Sequence, residues 1–335
     1  MAPEKSPVLA NADLQHFLEH GWVKIANCFS QEASDKVAST LWQRLGVSPT
    51  DKSTWSNIPN LNAGRINMPS HKTFSAAAFA PKAWSGICQL VGGEEKVSDE
   101  HRTWNDGLIV NFGSRENEGV DIRPQDLKGW HVDGDFFVHY LDSPEQALLV
   151  IPLFTNIRPG GGGTYICPAA IKHVAKHLYD NPAGVTPRFT PRAKNPKLDN
   201  EDTLAWFNDL AASMPDEAFV EVTGSVGDVF LLHPLMLHSA SNNKLRELRI
   251  ITNPPVSLNE PFQLQRDDGE YSVVEQKTLK ELGMPQGIGN WKITAGRDRV
   301  IPARLKAQAE MRKKELERLK GVGNVTVNEI MDVKA

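Results

Sequence analysis

The stretch Gly227-Asp-Val-Phe-Leu-Leu-His-Pro-Leu-Met-Leu-His238 begins with an apolar run directly after a glycine-bounded turn at 224–227. A short apolar run bounded by turn residues is typical of a buried β-strand. Further strands are predicted on both sides of it, at 22–25, 108–112, 129–133, 147–154, 164–167, 219–223 and 248–252. Many short strands joined by glycine-rich turns and flanked by helices predict a mainly β core, either a β-barrel or a jelly roll.

Helical spacing of apolar residues predicts helices around this core. They are expected at 12–19, 30–45, 171–179, 204–212 and 302–320. Residues 50–80 show no steady periodicity and are expected to form a loop with little regular structure. We expect a single domain over 1–300, with a helical N-terminal buttress and an insertion at 180–215, followed by a charged C-terminal surface helix and tail over 301–335.

The composition is that of a globular protein and argues against several classes of partner. A net charge of −4 gives no electrostatic reason to expect nucleic acid. No apolar stretch is long enough to cross a bilayer, and the ends carry neither a secretory signal nor a peroxisomal Ser-Lys-Leu address. Three widely spaced cysteines favour a reducing compartment. We therefore expect a cytoplasmic protein without a nucleic-acid or membrane partner; its oligomeric state is unknown.

The tripeptide His131-Val-Asp133 carries the first indication of chemistry. Residues i and i+2 of a strand point to the same face, so the imidazole and the carboxylate would project side by side. A second imidazole from a distant strand would complete a set of two histidines and one carboxylate, which suits Fe(II) and leaves positions open for other ligands. In isolation the tripeptide is common, and a partly exposed histidine beside a solvated aspartate is the better explanation of it.

The wider pattern is more specific than this tripeptide. It contains, in chain order, Phe17-Leu-Glu-His-Gly-Trp-Val-Lys-Ile25, Trp130-His-Val-Asp133, Gly227-Asp-Val-Phe-Leu-Leu-His-Pro234, Leu237-His-Ser-Ala-Ser241 and then an arginine. Over about residues 12–256 these motifs resemble the phytanoyl-CoA dioxygenase-like family of Fe(II)/2-oxoglutarate-dependent oxygenases. The resemblance implies a double-stranded β-helix (jelly-roll, cupin-like) core. It also implies that His131, Asp133 and His238 are the metal ligands and the catalytic residues.

Two of the residues that the resemblance selects have a rival nearby. His233 lies five residues before His238, and only the resemblance makes His238 the ligand and His233 a structural residue. Arg246 and Arg249 would face opposite sides of a regular strand, and hydrophobic patterning does not choose between them. The resemblance favours Arg249, eleven residues after His238, as the group that binds the distal carboxylate of 2-oxoglutarate.

Other polar residues are less specific. The resemblance makes Thr164 and Asn111 candidate contacts of 2-oxoglutarate, although either could be an ordinary strand residue. His173 and His177 have a spacing able to bind zinc, but a solvated helix face is the simpler interpretation. The glycine run 160–163 reads as a turn, and His139 either lines the mouth of a pocket or lies on the surface.

The resemblance implies an enzyme that uses Fe(II), 2-oxoglutarate and dioxygen to oxidise an unactivated C–H bond of a small organic substrate. Hydroxylation, desaturation and cyclisation, with release of succinate and CO₂, all remain open. Candidate substrate walls are 55–70, 135–140 and 180–215. Arg65 or another cation there could bind a substrate carboxylate, although an exposed, solvated arginine is the simpler expectation. We expect a natural product of secondary metabolism or an amino-acid-like substrate. The alternatives are a non-catalytic jelly roll that binds a metal or ligand, and a zinc-dependent hydrolase.

Overall fold

The structure, a computed structural model, describes residues 8–58, 64–198, 201, 203–302, 304–320 and 329–330. Its strands are β1 (Trp22–Ile25), β2 (Arg65–Asn67), β3 (Lys72–Ser75), β4 (Thr103–Asn105), β5 (Ile109–Asn111), β6 (Leu148–Pro152), β7 (Thr164–Cys167), β8 (Val220–Glu221), β9 (Val229–Leu232), β10 (Leu237–Ala240), β11 (Arg249–Ile251), β12 (Pro255–Val256) and β13 (Glu329–Ile330). Its α-helices are α1 (Asn11–His20), α2 (Gln31–Ala38), α3 (Leu41–Leu45), α4 (Ala76–Phe79), α5 (Pro81–Val91), α6 (Ile171–Asp180), α7 (Ala205–Ala212), α8 (Val273–Leu282) and α9 (Arg304–Lys320).

One antiparallel sheet is built around β6 and β9, which are buried along their whole length, as their apolar sequences predict. β9 lies between β6 and β1 and pairs with β1 on the edge that is turned away from β6. β6 pairs with β12, and Ile251 at the end of β11 bridges Leu153 just beyond β6. β11 in turn pairs with β5, and β5 with β2. β11 and β12 thus occupy one position in this first sheet. The order across the sheet is β2, β5, then β11 followed by β12, then β6, β9 and β1.

The second sheet contains β10, β7 and β8, and His131 joins its edge through a bridge to His238 of β10. From β5 onward the chain passes repeatedly between the sheets. β5, β6, β9 and β11 belong to the first sheet, whereas the segment at His131, β7, β8 and β10 belong to the second. This alternation is the topology of a jelly roll, or double-stranded β-helix. The predicted fold class, a mainly β core with flanking helices, is confirmed.

Close approach of the backbone explains the glycine that begins the stretch before β9. Gly227 has a φ of 89°, and a Cβ atom built there would lie 2.2 Å from the carbonyl oxygen of Phe29. Only glycine fits a left-handed backbone in contact with another chain segment. Gly227 thus lets the turn before β9 pack directly against the loop that precedes α2.

Helices cover the sheets as predicted at α1, α6, α7 and α9, but α4, α5 and α8 were not predicted. α5 buries Ile87 and Leu90 and contacts β9, and α8 packs against α1, α5 and α6. The helix predicted over 30–45 is divided into α2 and α3. Ser39 interrupts it because its hydroxyl donates a hydrogen bond to the Lys36 carbonyl, which competes with helical continuation.

Two further predictions were wrong in detail. Residues 50–80 are not mainly loop: they include a 3₁₀ helix at Lys52–Asn57, strands β2 and β3, and α4. These strands are only three or four residues long and pair with β5 and β4, so the local sequence shows no periodicity. The predicted strand 129–133 is reduced to the single bridge at His131. Within the residues that the structure describes, no helix combines the length and apolarity needed to cross a membrane.

The C-terminal helix α9 is mostly exposed, as its charged sequence predicts, but it buries one carboxylate. Glu315 is 2% exposed; it accepts a hydrogen bond from Arg44 Nε at 2.8 Å and lies 2.7 Å from His71 Nε2. Arg44 also donates to Asp106 Oδ2 at 2.9 Å. We call Arg44, His71, Asp106 and Glu315 the buried charge cluster. The division into a domain over 1–300 and a C-terminal helix and tail stays a prediction, and most of the tail lies outside the described residues.

Candidate metal centre

The structure brings together the three side chains predicted as metal ligands, His131, Asp133 and His238. The bridge between the two histidines places their rings side by side, with centroids 4.3 Å apart. Asp133 Oδ1 lies 3.5 Å from His131 Nε2 and 3.6 Å from His238 Nε2. One candidate ligand atom from each residue lies within 4.8 Å of the other two. Within the described ranges no other group of three or more histidines, cysteines or carboxylates is this close, and we call this group the metal trio.

Backbone carbonyls orient both imidazoles of the trio. His131 Nδ1 lies 2.7 Å from the Gly129 carbonyl oxygen, and His238 Nδ1 lies 3.0 Å from that of Met236. A carbonyl can only accept a hydrogen bond, so each Nδ1 carries a proton and, in the neutral ring, each Nε2 offers a lone pair. Asp133 Oδ2 accepts a hydrogen bond from Asn253 at 3.3 Å. The trio therefore offers two imidazole nitrogens and one carboxylate oxygen, a donor set that fits Fe(II).

The electrostatics of the trio favour a positive charge between its members. Burial alone would raise the pKa of Asp133, but its contacts with His131 and His238 outweigh burial and hold that pKa well below its ordinary value. Burial acts to lower the pKa of His238, but the contact with Asp133 outweighs it and raises that pKa. A carboxylate that stabilises a proton on a neighbouring imidazole will also stabilise a metal cation in that position.

The trio opens into a cavity of about 450 Å³, which His131 and Asp133 line. The other walls come from the edge of the first sheet around β2 and β5, the 253–255 segment, the 180–215 insertion and the first turns of α9. The polar side chains that matter below are Arg65, Asn67, Arg188, Asn253 and Arg304. All three segments expected to form substrate walls thus contribute to one cavity, and α9 adds a wall that was not predicted.

Arg249 is a buried cation with few partners. Its side chain is on β11, 2% of the residue is exposed, and its Nε donates to the Gly162 carbonyl oxygen at 2.7 Å. Its buried Nη1 has no hydrogen-bond partner among the described residues. Burial, and after it the positive charge of Arg65, lower the pKa of Arg249 to about 9. A guanidinium held in this way is prepared to bind an anion that supplies the missing acceptor.

The register of the first sheet places Arg249 on the cavity side. Arg249 lies opposite Asn111 of β5, and Asn111 lies opposite Arg65 of β2, so the three side chains share one face of the sheet. Ile109 and Asn67, which line the cavity, lie on that same face two residues further along. Arg249 therefore lies on the face of the sheet that is turned to the trio.

The rival Arg246 has a different environment. It is in the turn before β11, with a φ of 47°, rather than on the opposite face of a strand as its spacing from Arg249 suggested. Its Nη1 lies 3.1 Å from Glu118 Oε2, so its charge is already paired. Of these two arginines, Arg249 is thus the one that has no acidic partner among the described residues.

The two supporting residues named from the sequence lie close to this region. Thr164 of β7 is 6% exposed and lies opposite Ala240 in the register that sets Ile166 opposite His238, so it shares the face of His238. Asn111 is 2% exposed and accepts a hydrogen bond from the Gly113 amide at 2.9 Å, which uses its side-chain oxygen in a turn. A role for either residue toward 2-oxoglutarate stays a prediction.

The remaining histidines have structural environments. His233 is fully buried against α8, 3.0 Å from Thr278 Oγ1, and burial together with Lys277 lowers its pKa to about 3. His139 is also buried, not on the surface, and lies 2.7 Å from the Gly134 carbonyl oxygen. His173 is exposed, and His177 lies 2.9 Å from the Phe189 carbonyl oxygen; among the described residues neither belongs to a group of three candidate metal ligands.

Comparison with known proteins gives distant structural similarities. Neither a protein-family model nor a curated protein matches the chain. Among solved structures, HygX from Streptomyces hygroscopicus with nickel and 2-oxoglutarate bound is 12% identical with a TM-score of 0.42, covering 77% of this chain and 90% of that chain. EctD from S. alaskensis with bound Fe is 17% identical with a TM-score of 0.43, covering 78% and 83%.

A third similar structure is SnoK, a non-heme alpha ketoglutarate dependent carbocyclase from nogalamycin biosynthesis. It is 14% identical with a TM-score of 0.38, covering 84% of this chain and 94% of that chain. All three TM-scores are below 0.5 and all identities below 25%. The strand order and the side chains of this chain alone therefore define its fold and its chemistry.

Two polar residues of the cavity wall, Asn253 and Arg304, were not singled out from the sequence. Asn253 orients Asp133, and Arg304 of α9 donates to Asp135 Oδ1 at 2.6 Å. Arg65 was expected to be exposed and solvated, but it is partly buried and faces the cavity. Only the pairing of β2 with β5 puts Arg65 in line with Asn111 and Arg249, and no local pattern contains that register.

Proposed function

We propose that this protein is a non-haem oxygenase that uses Fe(II), 2-oxoglutarate and dioxygen to oxidise an unactivated C–H bond of a small organic substrate. The observation that carries the proposal is the combination of the metal trio with a buried arginine, Arg249, that lacks an acidic partner. A metal site alone would also suit a zinc hydrolase. A buried guanidinium with an unpaired Nη1 on the cavity side gives a dicarboxylate cosubstrate a place to bind.

Each residue has a defined task in this proposal. His131 and His238 would hold Fe(II) through Nε2, because the carbonyls of Gly129 and Met236 fix the proton on Nδ1. Asp133 would supply the anionic ligand, with Asn253 restraining its second oxygen. Bound Fe(II), together with 2-oxoglutarate and dioxygen, supplies the oxidising power for C–H cleavage and releases succinate and CO₂.

Arg249 would bind the distal carboxylate of 2-oxoglutarate. Its Nε is held by the Gly162 carbonyl, so the guanidinium is fixed before the ligand arrives and little side-chain freedom is lost on binding. The carbonyl can approach because Gly162 has a φ of 82°, and a Cβ there would lie 2.8 Å from Asn111 Nδ2. The surrounding sheet and α9 would limit water in the cavity, as a reaction with a strong oxidant requires.

The proposal is tested by adding Fe(II) and 2-oxoglutarate to the protein without oxygen. We expect a weak visible charge-transfer band, because the cosubstrate would chelate the iron, and we expect it to be absent in His131→Ala and Asp133→Ala. On admission of oxygen, succinate should form and should increase when a substrate from a broad panel is present. Arg123→Gln, at an exposed arginine that pairs with Asp126, is the matched control that should keep the band.

The two alternative functions predict other results. A zinc-dependent hydrolase would bind Zn(II) at the trio and show no dependence of metal binding on 2-oxoglutarate. A non-catalytic binding protein would show the band but no succinate with any substrate. Absence of both the band and succinate would overturn the oxygenase proposal.

A further inference from the structure

The cavity contains two positive charges that the proposed function does not use. Arg65 faces the cavity from β2, and within the described part of the chain its guanidinium has neither a hydrogen bond nor an ion pair. Arg188 faces it from the 180–215 insertion; its Nε donates to the Glu201 carbonyl oxygen at 3.0 Å, and no carboxylate of a described residue pairs with it. A guanidinium that is partly removed from water without a counterion is costly, so its placement calls for a ligand.

Arg304, the third arginine of the cavity, is neutralised by an acidic partner. Arg304 of α9 contacts both oxygens of Asp135, and Nη2 lies 2.6 Å from Oδ1. The chain therefore has the means to pair a cavity arginine with an acid and does so at Arg304. Arg65 and Arg188, in contrast, have no such acidic partner among the described residues and remain available to bind a ligand.

The charges of the loaded site would balance without these two residues. The two charges of Fe(II) and the one of Arg249 would offset those of Asp133 and of dianionic 2-oxoglutarate. Both imidazoles bind metal in the neutral form. The charges of Arg65 and Arg188 would then remain in excess, and they would repel a cationic substrate and attract an anionic one.

Position also separates Arg65 from the cosubstrate arginine. Asn111 lies between the two in the strand register, and Arg249 is buried whereas Arg65 is part of the cavity wall. Asn67, two residues along on the same face of β2, adds an amide beside Arg65 at the cavity. The wall around β2 thus offers an arginine and an amide to a ligand that enters after 2-oxoglutarate.

We infer that the substrate of this site is a small organic molecule that carries an oxyanion, a carboxylate or a phosphate, and that Arg65 binds it together with Arg188. The inference rests on the proposed function, since it takes Arg249 as occupied by 2-oxoglutarate. It defines the chemical class of the substrate and makes Arg65 a specificity-determining residue.

The test uses Mn(II) in place of Fe(II), saturating 2-oxoglutarate, and three probes of matched length: hexanoate, hexyl phosphate and hexan-1-ol. Calorimetry measures their dissociation constants, and broadening of their proton resonances by Mn(II) reports whether they bind near the trio. We expect at least one anion to bind at least about tenfold more tightly than the alcohol, because it gains charge-assisted hydrogen bonds. The tighter of the two anions distinguishes a carboxylate from a phosphate substrate.

Substitution then assigns the binding to Arg65. Arg65→Gln should weaken the anion by about tenfold or more, Arg65→Lys should weaken it less, and Arg123→Gln should leave it unchanged. 2-oxoglutarate should still bind Arg65→Gln, with a dissociation constant changed by less than about tenfold, because Arg249 remains in place to bind its distal carboxylate. A normal melting transition of both Arg65 variants excludes misfolding as the cause.

Three outcomes would overturn the inference: equal binding of alcohol and anions, undiminished anion binding in Arg65→Gln, or loss of 2-oxoglutarate binding in that variant. The last result would assign Arg65 to the cosubstrate. Failure of the proposed function gives a different result, in which 2-oxoglutarate shows no metal-dependent binding while the anions still depend on Arg65.

Discussion

Arg44 and Arg249 are both almost completely buried, at 1% and 2% exposure, yet their surroundings are opposite. Arg44 donates to Glu315, to Asp106 and to the Pro69 carbonyl, so each nitrogen of its guanidinium has a partner. Arg249 has one carbonyl partner on Nε and a buried Nη1 without any among the described residues. Burial is the same in the two places, and the difference is whether the chain itself supplies the acceptors.

This difference distinguishes a structural ion cluster from a ligand site. In the buried charge cluster the chain supplies partners to every nitrogen of Arg44 and to all four carboxylate oxygens of Asp106 and Glu315, although His71 Nδ1 has no partner among the described residues. In the cavity, Arg249 and the trio are held in place by backbone carbonyls but keep atoms free for a ligand. A closed cluster contributes to folding, whereas an open one costs stability that a ligand can return.

The largest effect is expected when the closed cluster is broken. Glu315→Ala leaves Arg44 and His71 buried beside a missing partner, so the free energy of unfolding should fall by about 3–5 kcal/mol. Burial would raise the pKa of Glu315, but its contacts with His71 and Arg44 hold that pKa below its ordinary value, which agrees with a carboxylate stabilised in the folded state. Urea unfolding followed by tryptophan fluorescence measures the change.

The matched control for this change is on the same helix. Glu317 of α9 is exposed, so Glu317→Ala should alter stability by no more than about 0.5 kcal/mol. A similar loss in both variants would mean that α9 itself, not the cluster, is sensitive. No loss in Glu315→Ala would contradict the structural role of the buried charge cluster.

A smaller effect, on 2-oxoglutarate affinity and not on stability, is expected at Arg249. Arg249→Met should weaken 2-oxoglutarate binding by about 10- to 100-fold, because charge-assisted hydrogen bonds to the carboxylate are lost. The same change should leave the ligand-free protein as stable as before, or more stable by about 1 kcal/mol, because it removes a buried charge that has no counterion. Calorimetric titration and urea unfolding measure the two quantities.

Arg246 provides the comparison for this second change. Since it is already paired with Glu118, Arg246→Met should leave 2-oxoglutarate affinity within about twofold. If Arg246→Met weakened the cosubstrate more than Arg249→Met, the assignment of the cosubstrate arginine would be reversed. If Arg249→Met destabilised the free protein by several kcal/mol, the site would be closed rather than open.

The smallest effect is expected in the pH dependence of stability, through His233, the buried histidine that lies five residues before His238. Above its ordinary pKa of 6.5, His233 is neutral in the folded and the unfolded chain, so its contribution to stability is complete. Below pH 6.5 the unfolded chain takes up a proton, whereas the buried ring, with its pKa lowered to about 3, does not. Stability should therefore fall by about 1.4 kcal/mol per pH unit between these values.

Unfolding by urea at pH 7 and pH 5.5 measures this dependence. His233→Gln should make the curve less steep by the contribution of one histidine, while His173→Gln, at an exposed position, should leave it unchanged. An unchanged slope in His233→Gln would show that the ring is accessible to protons in the native protein.

Much of the fold could be predicted because its signals are local. The apolar runs of β6 and β9 and the helix α1 with Gly21 at its end were found close to their actual bounds. The short strands β2 and β3 were missed because three or four residues contain no readable period, and their identity depends on partners more than 25 residues away. Tertiary pairing, rather than propensity, makes them strands.

The residues of the site divide in the same way, into those with a signal in the sequence and those whose role depends on tertiary pairing. His131 and Asp133 could be named from their spacing, and the family resemblance named His238 and Arg249. Arg65 was named only as one possible cation beside a substrate, with an exposed position as the simpler expectation, because its place opposite Asn111 comes from the sheet register and not from a local pattern. The contribution of Arg304 could not be foreseen either, because α9 reaches the cavity only after the whole core has formed.

The contact between Arg44 and Glu315 joins positions 271 residues apart, and α9 also carries Arg304 to the cavity wall. Such a contact is made late in folding, because the intervening core must first bring its two ends together. A chain in which α9 has not yet docked lacks the Glu315 partner of Arg44 and has an incomplete cavity. The capacity to hold a substrate and the last part of the stability are thus acquired in one step, so ligand binding reports that folding is finished.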